Sequence, residues 1–121
     1  MTPGKTQPGR TAHIALRDAQ SRIPGPAGER SVLLFEHGTL KAKLYAPRGQ
    51  DLQTPHRQDE AYVVATGRGV FWDGENRRPF EPGTFLFAPA DRPHRFEDFT
   101  DDFSVWVIFY GPDGGETPRE T

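Results

Sequence analysis

Three residues of the chain carry side chains suited to binding a divalent metal ion. His56 and Glu60 are separated by three residues, and His94 lies farther along the chain. Because side-chain direction repeats every two residues in an extended segment, His56 and Glu60 can point to the same face. Imidazole and carboxylate bind first-row divalent metals, and two histidines with one carboxylate leave coordination positions open for water, O2 or a substrate. The pattern therefore predicts a reactive metal site formed by these three residues.

Aromatic side chains are expected beside these ligands. Tyr62 and Phe96 each follow a predicted ligand by two residues, so strand alternation directs them to the same interior. Trp106, in the last predicted strand, is a third candidate for lining a cavity. Aromatic residues in a small barrel more often fill the core than bind a ligand, so both roles stay open for these three residues.

Length and composition restrict the class of protein. A chain of 121 residues with 13 Gly, 12 Pro and a formal net charge of -2 favours one domain of short strands and turns, without a basic surface for nucleic acid. The absence of cysteine excludes disulfides and thiolate ligands, so a metal must use His, carboxylate or amide groups. The sequence contains no apolar run typical of a signal peptide or a membrane span. These features predict a cytoplasmic protein without a membrane partner.

A short amphipathic helix is predicted near the start of the chain. Apolar residues recur at three- and four-residue spacing after Thr11, and Pro24 ends the pattern, so we expect a helical arm over residues 11–24. A lone helix of this length is marginal, and its apolar stripe must pack on the rest of the domain or on a second subunit. Residues 1–10 and 112–121 are polar and lack periodicity, so we expect disordered tails there.

Residues 31–111 have the pattern of an all-β domain. Short apolar runs alternate with turn signals, as in sandwiches and barrels. In the first predicted hairpin, Leu44 alternates with Lys43 and Tyr45, which predicts a strand with one buried face and one polar face. The run over 103–110 is apolar on both faces and is expected at the centre of a sheet.

The spacing of the predicted ligands resembles the two motifs of the cupin family, G-x5-H-x-H-x3/4-E-x6-G and G-x5-P-x-G-x2-H-x3-N. The matching positions are His56, Glu60 and Gly67 in the first motif and Gly83, Pro89 and His94 in the second. The resemblance covers about residues 31–111. Coincident spacing over two motifs is a more specific signal than either motif alone.

Three departures from the family pattern bear on the site. Thr54 stands at the position of the family's first histidine, so the usual set of four ligands is reduced to three. Gln58 is a candidate extra ligand through its amide oxygen, although a neutral oxygen binds late transition metals poorly. Asp91 and Asp98 stand where the family has glycine and asparagine, and aspartate tolerates the left-handed conformation that such positions favour.

The resemblance implies an all-β double-stranded β-helix, the jelly-roll cupin barrel, with a short N-terminal helix. It also implies a divalent metal, Fe(II) foremost with Mn, Zn or Ni as alternatives, a small polar or anionic organic ligand, and a homodimer. If the protein is an enzyme, the resemblance implies metal-dependent oxidation of the dioxygenase type. Two other functions stay open: a non-catalytic carrier or sensor of a small molecule, and a metal-free isomerase or epimerase with a His-based acid–base pair.

Overall fold

The computed structural model describes Gly4–Lys5 and residues 9–119. In chain order the elements are β1 (Gly4–Lys5), α1 (Leu16–Gln20), β2 (Ser31–His37), β3 (Leu40–Tyr45), β4 (Asp59–Thr66), β5 (Gly69–Trp72), β6 (Arg77–Phe80), β7 (Phe85–Ala88), β8 (Arg95–Glu97) and β9 (Ser104–Tyr110). The strands form a six-stranded sheet in the order β1-β2-β3-β9-β4-β7 and a three-stranded sheet in the order β6-β5-β8. The all-β jelly roll with a short N-terminal helix is confirmed, and β9 takes the predicted central place between β3 and β4.

The six-stranded sheet is covered on its inner face, and on its outer face around β2, β3 and β9, whereas Phe85 and Phe87 of β7 are exposed. Its inner face packs against the three-stranded sheet in a core rich in aromatic residues. This core consists of Tyr62, Val64, Phe71, Phe80, Ala88, Phe96, Phe103, Val105, Val107 and Phe109. Burial on both faces explains why β9 reads as a continuous apolar run rather than as an alternating one.

The N-terminal arm covers the outer face of this sheet at β2, β3 and β9. Ala19 of α1 is fully buried against Leu34 and Leu44, with Ile23 and Trp106 packed around them. The apolar stripe of the arm is therefore buried within the chain itself, which is the first of the two expected arrangements.

The helix is shorter than predicted. It is confined to Leu16–Gln20, and Ala15 before it has an extended conformation without a side-chain capping hydrogen bond. Thr11 therefore does not start the helix, and the rest of the 11–24 arm packs without helical structure. A single turn is stabilised here by burial of Ala19, because so short a helix has too few hydrogen bonds to persist on propensity. The one helix in the described part of the chain has five residues and is too short to cross a membrane.

The described parts of both terminal segments contact the barrel, and the disorder of the tails stays a prediction. Gly4–Lys5 pairs in parallel with β2, while 1–3 and 6–8 lie outside the described residues. At the other end, residues 112–119 return to the barrel, and the Glu116 amide donates to Asp59 Oδ2 at 2.9 Å. Residues 120–121 lie outside the described range. These contacts are hydrogen bonds from backbone amides rather than apolar packing. A polar sequence without hydrophobic periodicity therefore does not reveal them.

Candidate functional site

Glu60, Tyr62 and His94 form a hydrogen-bonded cluster inside the barrel. Adjacent inward positions of β4 supply Glu60 and Tyr62, and the loop before β8 supplies His94. The Tyr62 hydroxyl donates to Glu60 Oε2 at 2.6 Å, and its oxygen lies 2.8 Å from His94 Nε2. The same Nε2 lies 3.4 Å from Glu60 Oε1. The sequence prediction that Glu60, Tyr62 and His94 share the interior is confirmed.

The proton positions in this cluster follow from its partners. His94 Nδ1 lies 2.8 Å from the carbonyl oxygen of Arg92, which can only accept, so Nδ1 carries a proton. Burial lowers the pKa of His94, but hydrogen bonds to Glu60 and the Arg92 carbonyl outweigh it, so the pKa is raised overall. Burial and then the charge of Glu60 raise the pKa of the Tyr62 phenol, which therefore stays a neutral donor.

A buried aspartate holds the segment between β3 and β4 over the barrel mouth. Asp51 is 8% exposed and accepts four hydrogen bonds. They come from the Tyr45 hydroxyl, the backbone and side-chain amides of Gln53, and the backbone amide of Phe96, at 2.7–3.0 Å. Through the Phe96 amide, Asp51 joins this segment to β8 of the other sheet. Its carboxylate is thereby fully used in holding the segment.

His56 lies apart from the buried cluster. Its ring meets the ring of Phe109 edge-on, with centroids 4.5 Å apart, and its backbone carbonyl accepts from the Asp91 amide at 2.7 Å. Gln58 is also directed elsewhere, since its amide nitrogen donates to the carbonyl oxygens of Thr39 and Gly111. The structure brings together Glu60 and His94 but not the other two predicted ligands.

The resemblance implies a metal ion held by His56, Glu60 and His94. The carboxylate of Glu60 and Nε2 of His94 are suitable donors and converge. Across Gly4–Lys5 and 9–119, however, three His, Cys, Asp or Glu side chains are nowhere grouped to hold a metal ion. Tyr62 occupies the position between Glu60 and His94 with its own hydrogen bonds. In this conformation the residues do not fit the predicted three-ligand centre, and the metal role of His56, Glu60 and His94 stays a prediction.

An open cavity lies at the barrel mouth, beside the buried cluster. Its volume is about 520 Å³. Its floor consists of the inner-face residues Val107 and Phe109 of β9, and Lys43 and Tyr45 of β3 form one wall. The rim consists of Gly28, Arg30, Ser31, Pro47, Arg48, Gln50, Leu52, Gln53, Thr54 and His56. Gln53 lines the cavity, and its side-chain amide donates to Asp51 Oδ2 at 2.8 Å. Glu60, Tyr62 and His94 are not among the lining residues.

The two remaining predicted aromatic residues lie outside this cavity. Phe96 is 1% exposed and packs among Tyr62, Phe80 and Phe103 in the aromatic core. Trp106 does not line the cavity, contrary to the prediction. It packs on the outer face of the sheet against Ala19, Leu34 and Leu44. Its register partner is Leu44, and both point away from the barrel interior.

Sequence reasoning missed the residues that line the cavity wall. Lys43 and Tyr45 were expected on a polar outer face, but they share the inner face with Val105 and Val107, their register partners in β9. The alternation of β3 correctly separates its apolar face from its polar face. The prediction turns the apolar face toward the barrel interior, whereas in the structure that face is buried under the N-terminal arm.

Comparison with known proteins agrees with this fold. A family model described as a cupin domain matches residues 44–109, more than half of the chain. An uncharacterized protein of Streptomyces coelicolor is 35% identical over 63 residues, which cover 52% of this chain and 60% of that protein. The match therefore spans less than two thirds of that relative's length.

Solved structures show the same architecture. A cupin-2 domain containing protein from Shewanella frigidimarina has a TM-score of 0.62 at 16% identity, covering 78% of this chain and 91% of that chain. A Cupin 2 conserved barrel domain protein from Salinispora arenicola has a TM-score of 0.57 at 20% identity, covering 67% of this chain and 74% of that one. At these identities the likeness shows the fold alone. Together with the match over residues 44–109 and the inward placement of both motifs, it shows that the chain belongs to the cupin family.

Proposed function

We propose that this cupin binds a small organic molecule in the cavity at its barrel mouth, as a carrier or sensor. The observation that supports the proposal is the cavity itself. Its volume of about 520 Å³ lies within the range of small-molecule sites, roughly 300–1,000 Å³. Its lining combines the apolar residues Val107 and Phe109 with polar groups, and polar groups fix the orientation of a ligand in such sites.

The buried cluster favours binding over catalysis at that cavity. Glu60 and Tyr62 are 1% and 0% exposed, and their polar atoms are paired with each other and with His94. None of these three side chains lines the cavity. A carrier or sensor requires the cavity alone, and the cluster then serves to stabilise the barrel beneath it.

Saturation-transfer NMR with a mixed set of charged and neutral fragments tests this proposal. We expect binding to the unaltered protein and loss of binding in Thr54→Trp, because Thr54 is exposed on the cavity rim and an indole there would fill the entrance. Thr117→Trp is the matched control, since Thr117 is exposed and does not line the cavity. Equal binding by both variants would contradict the proposal.

Metal-dependent oxidation of the dioxygenase type is the second candidate function. The observation in its favour is the approach of Glu60 Oε1 to His94 Nε2, at 3.4 Å. Elemental analysis for iron, manganese, zinc and nickel in the purified protein and in His94→Ala tests it. Stoichiometric metal that is lost in the variant would favour this candidate, and metal content unchanged by the substitution would exclude His94 as a ligand.

A further inference from the structure

We infer that the ligand of the cavity is an organic carboxylate with an apolar body, whose charged end is held by Arg30, Lys43 and Arg48 and whose body lies on Phe109 and Val107. This inference rests on the proposed function, since it names the class of molecule that the same cavity takes.

The lining of the cavity is cationic. Arg30, Lys43 and Arg48 contribute to it, and aspartate and glutamate do not. Among the residues that the structure describes, none of these three cations lies within salt-bridge distance of a carboxylate. Burial and the nearby positive charge of Arg48 lower the pKa of Arg30, so the two guanidinium groups act on each other. An anion in the cavity would relieve this repulsion, and the concave shape concentrates the positive field where it would bind.

Lys43 is placed to join a charged end to an apolar floor. Its Nζ lies 5.6 Å from the centre of the Phe109 ring, and its register partner in β9 is Val107. A carboxylate paired with Lys43 therefore brings the atoms attached to it directly onto these two side chains. Phe109 is only 6% exposed, and its ring also meets the His56 ring with centroids 4.5 Å apart.

The charged groups of the lining are all cationic donors, and Ser31, Gln50 and Thr54 add neutral polar groups. Arg30 Nε already donates to the Ala46 carbonyl at 2.8 Å, so the other guanidinium nitrogens are left for a ligand. The Tyr45 hydroxyl donates to Asp51 and is not free to donate to a ligand. Asp51 itself accepts four hydrogen bonds, so its carboxylate does not compete for the three cations. Hydrogen bonds from ammonium and guanidinium groups to a carboxylate are about twice as strong as neutral ones. This donor set selects a ligand that accepts at one end and is apolar at the other.

Three probes separate the parts of this inference: phenylacetate, its neutral amide phenylacetamide, and acetate. We expect phenylacetate to bind at least about tenfold more tightly than either of the others, followed by NMR titration of the Val107 and Phe109 amides. Added NaCl should weaken phenylacetate binding and leave phenylacetamide unchanged, because salt screens only the charged contact.

Substitutions of two basic residues provide the test and its control. Lys43→Met should weaken phenylacetate binding about tenfold and leave phenylacetamide binding unchanged. Arg17→Met removes a positive charge at an exposed residue of α1 outside the cavity and should change neither affinity. Arg48→Met, on the exposed segment after β3, provides a second variant if the inner-face substitution impairs folding.

The outcomes distinguish this inference from the proposed function. Equal affinity for phenylacetate and phenylacetamide, or an unchanged phenylacetate affinity in both Lys43→Met and Arg48→Met, would overturn the carboxylate assignment while the cavity remained a binding site. Failure of all three probes and of the fragment set would overturn both.

Discussion

At the scale of single residues, the Tyr62 hydroxyl is the group on which the barrel interior depends. It connects the carboxylate of Glu60 to the imidazole of His94, and all three side chains are removed from water. A buried ionisable group without a partner is costly, whereas one held by several hydrogen bonds is tolerated. The hydrogen bonds of the cluster thus offset the cost of burying Glu60 and His94 among aromatic rings.

Tyr62→Phe should lower the free energy of unfolding by about 2 kcal/mol or more, because Glu60 Oε2 and His94 Nε2 both lose a hydrogen-bond partner without gaining water. Urea denaturation measures the change. Tyr110→Phe is the control, since the Tyr110 hydroxyl has no hydrogen bond within 9–119. A Tyr62→Phe protein as stable as Tyr110→Phe would show that the cluster does not need its bridge.

The sequence predicted part of this site for a physical reason. Glu60 and Tyr62 lie in a regular strand, where alternation fixes the direction of each side chain, so their shared face could be read from spacing. His56 precedes that strand, in a segment whose path is set by hydrogen bonds to Asp51 and by contact with Phe109. Those contacts join residues distant in sequence, and spacing alone does not encode them.

At the scale of elements, the glycine that closes the first motif is required by a close approach of two backbones. Gly67 has φ of +85°, and a Cβ built on it would lie 2.5 Å from Phe103 Cα and 2.8 Å from Phe103 N. The turn between β4 and β5 therefore packs directly on the chain entering β9. This contact is the structural reason for a glycine at that spacing after Glu60.

Gly67→Ala should lower the free energy of unfolding by at least about 2 kcal/mol, from left-handed strain and the clash with Phe103 together. Gly38→Ala separates the two causes, because Gly38 also has positive φ but a Cβ there meets nothing within 4 Å. Its cost should be about 1 kcal/mol. If thermal unfolding gives both variants the same stability, the close approach of Gly67 to Phe103 does not contribute to the cost.

The C-terminal segment is attached to the barrel through Asp59, the first residue of β4. One carboxylate oxygen accepts from the Ala90 amide and the other from the Glu116 amide, each at 2.9 Å. Asp59→Ala should therefore abolish the hydrogen-exchange protection of the Glu116 amide, while Asp113→Ala, an exposed acidic residue of the same segment, should leave it intact. Protection of Glu116 in both variants would show that Asp59 does not hold the segment.

The elements that sequence predicted are those with regular alternation or clear turn residues. The apolar run over 103–110 predicts β9 to within one residue. β6 and β8 have no such signal, because Arg and Pro in β6 and charged residues at both ends of β8 mask their pairing with β5. Asp91 and Asp98 adopt φ of +63° and +50°, as the departures from the family glycine and asparagine predicted.

At the scale of the whole molecule, one sheet is shared by two cores, and this decides where the cavity lies. The arm buries the apolar face of β3 on the outer side of the sheet. Lys43 and Tyr45 therefore lie on the inner side, beside apolar residues of β9, where they line the cavity. The sequence did not reveal this, because a single strand with one apolar face looks the same whether that face is turned toward a helix or toward the barrel.

The homodimer stays a prediction. The stripe of the arm, which was one reason to expect a partner, is satisfied within the chain by Ala19. Light scattering after size exclusion should give about twice the chain mass of 13.6 kDa. A mass equal to one chain across a range of protein concentrations would contradict the prediction.

The cavity above Phe109 is the proposed place of ligand binding. A crystal structure of the protein grown with phenylacetate tests this directly. We predict density for the phenyl ring against Phe109 and Val107, with its carboxylate toward Lys43 and with the Glu60, Tyr62 and His94 hydrogen bonds unchanged. Density for phenylacetate within that buried cluster, or only outside the cavity, would contradict the account.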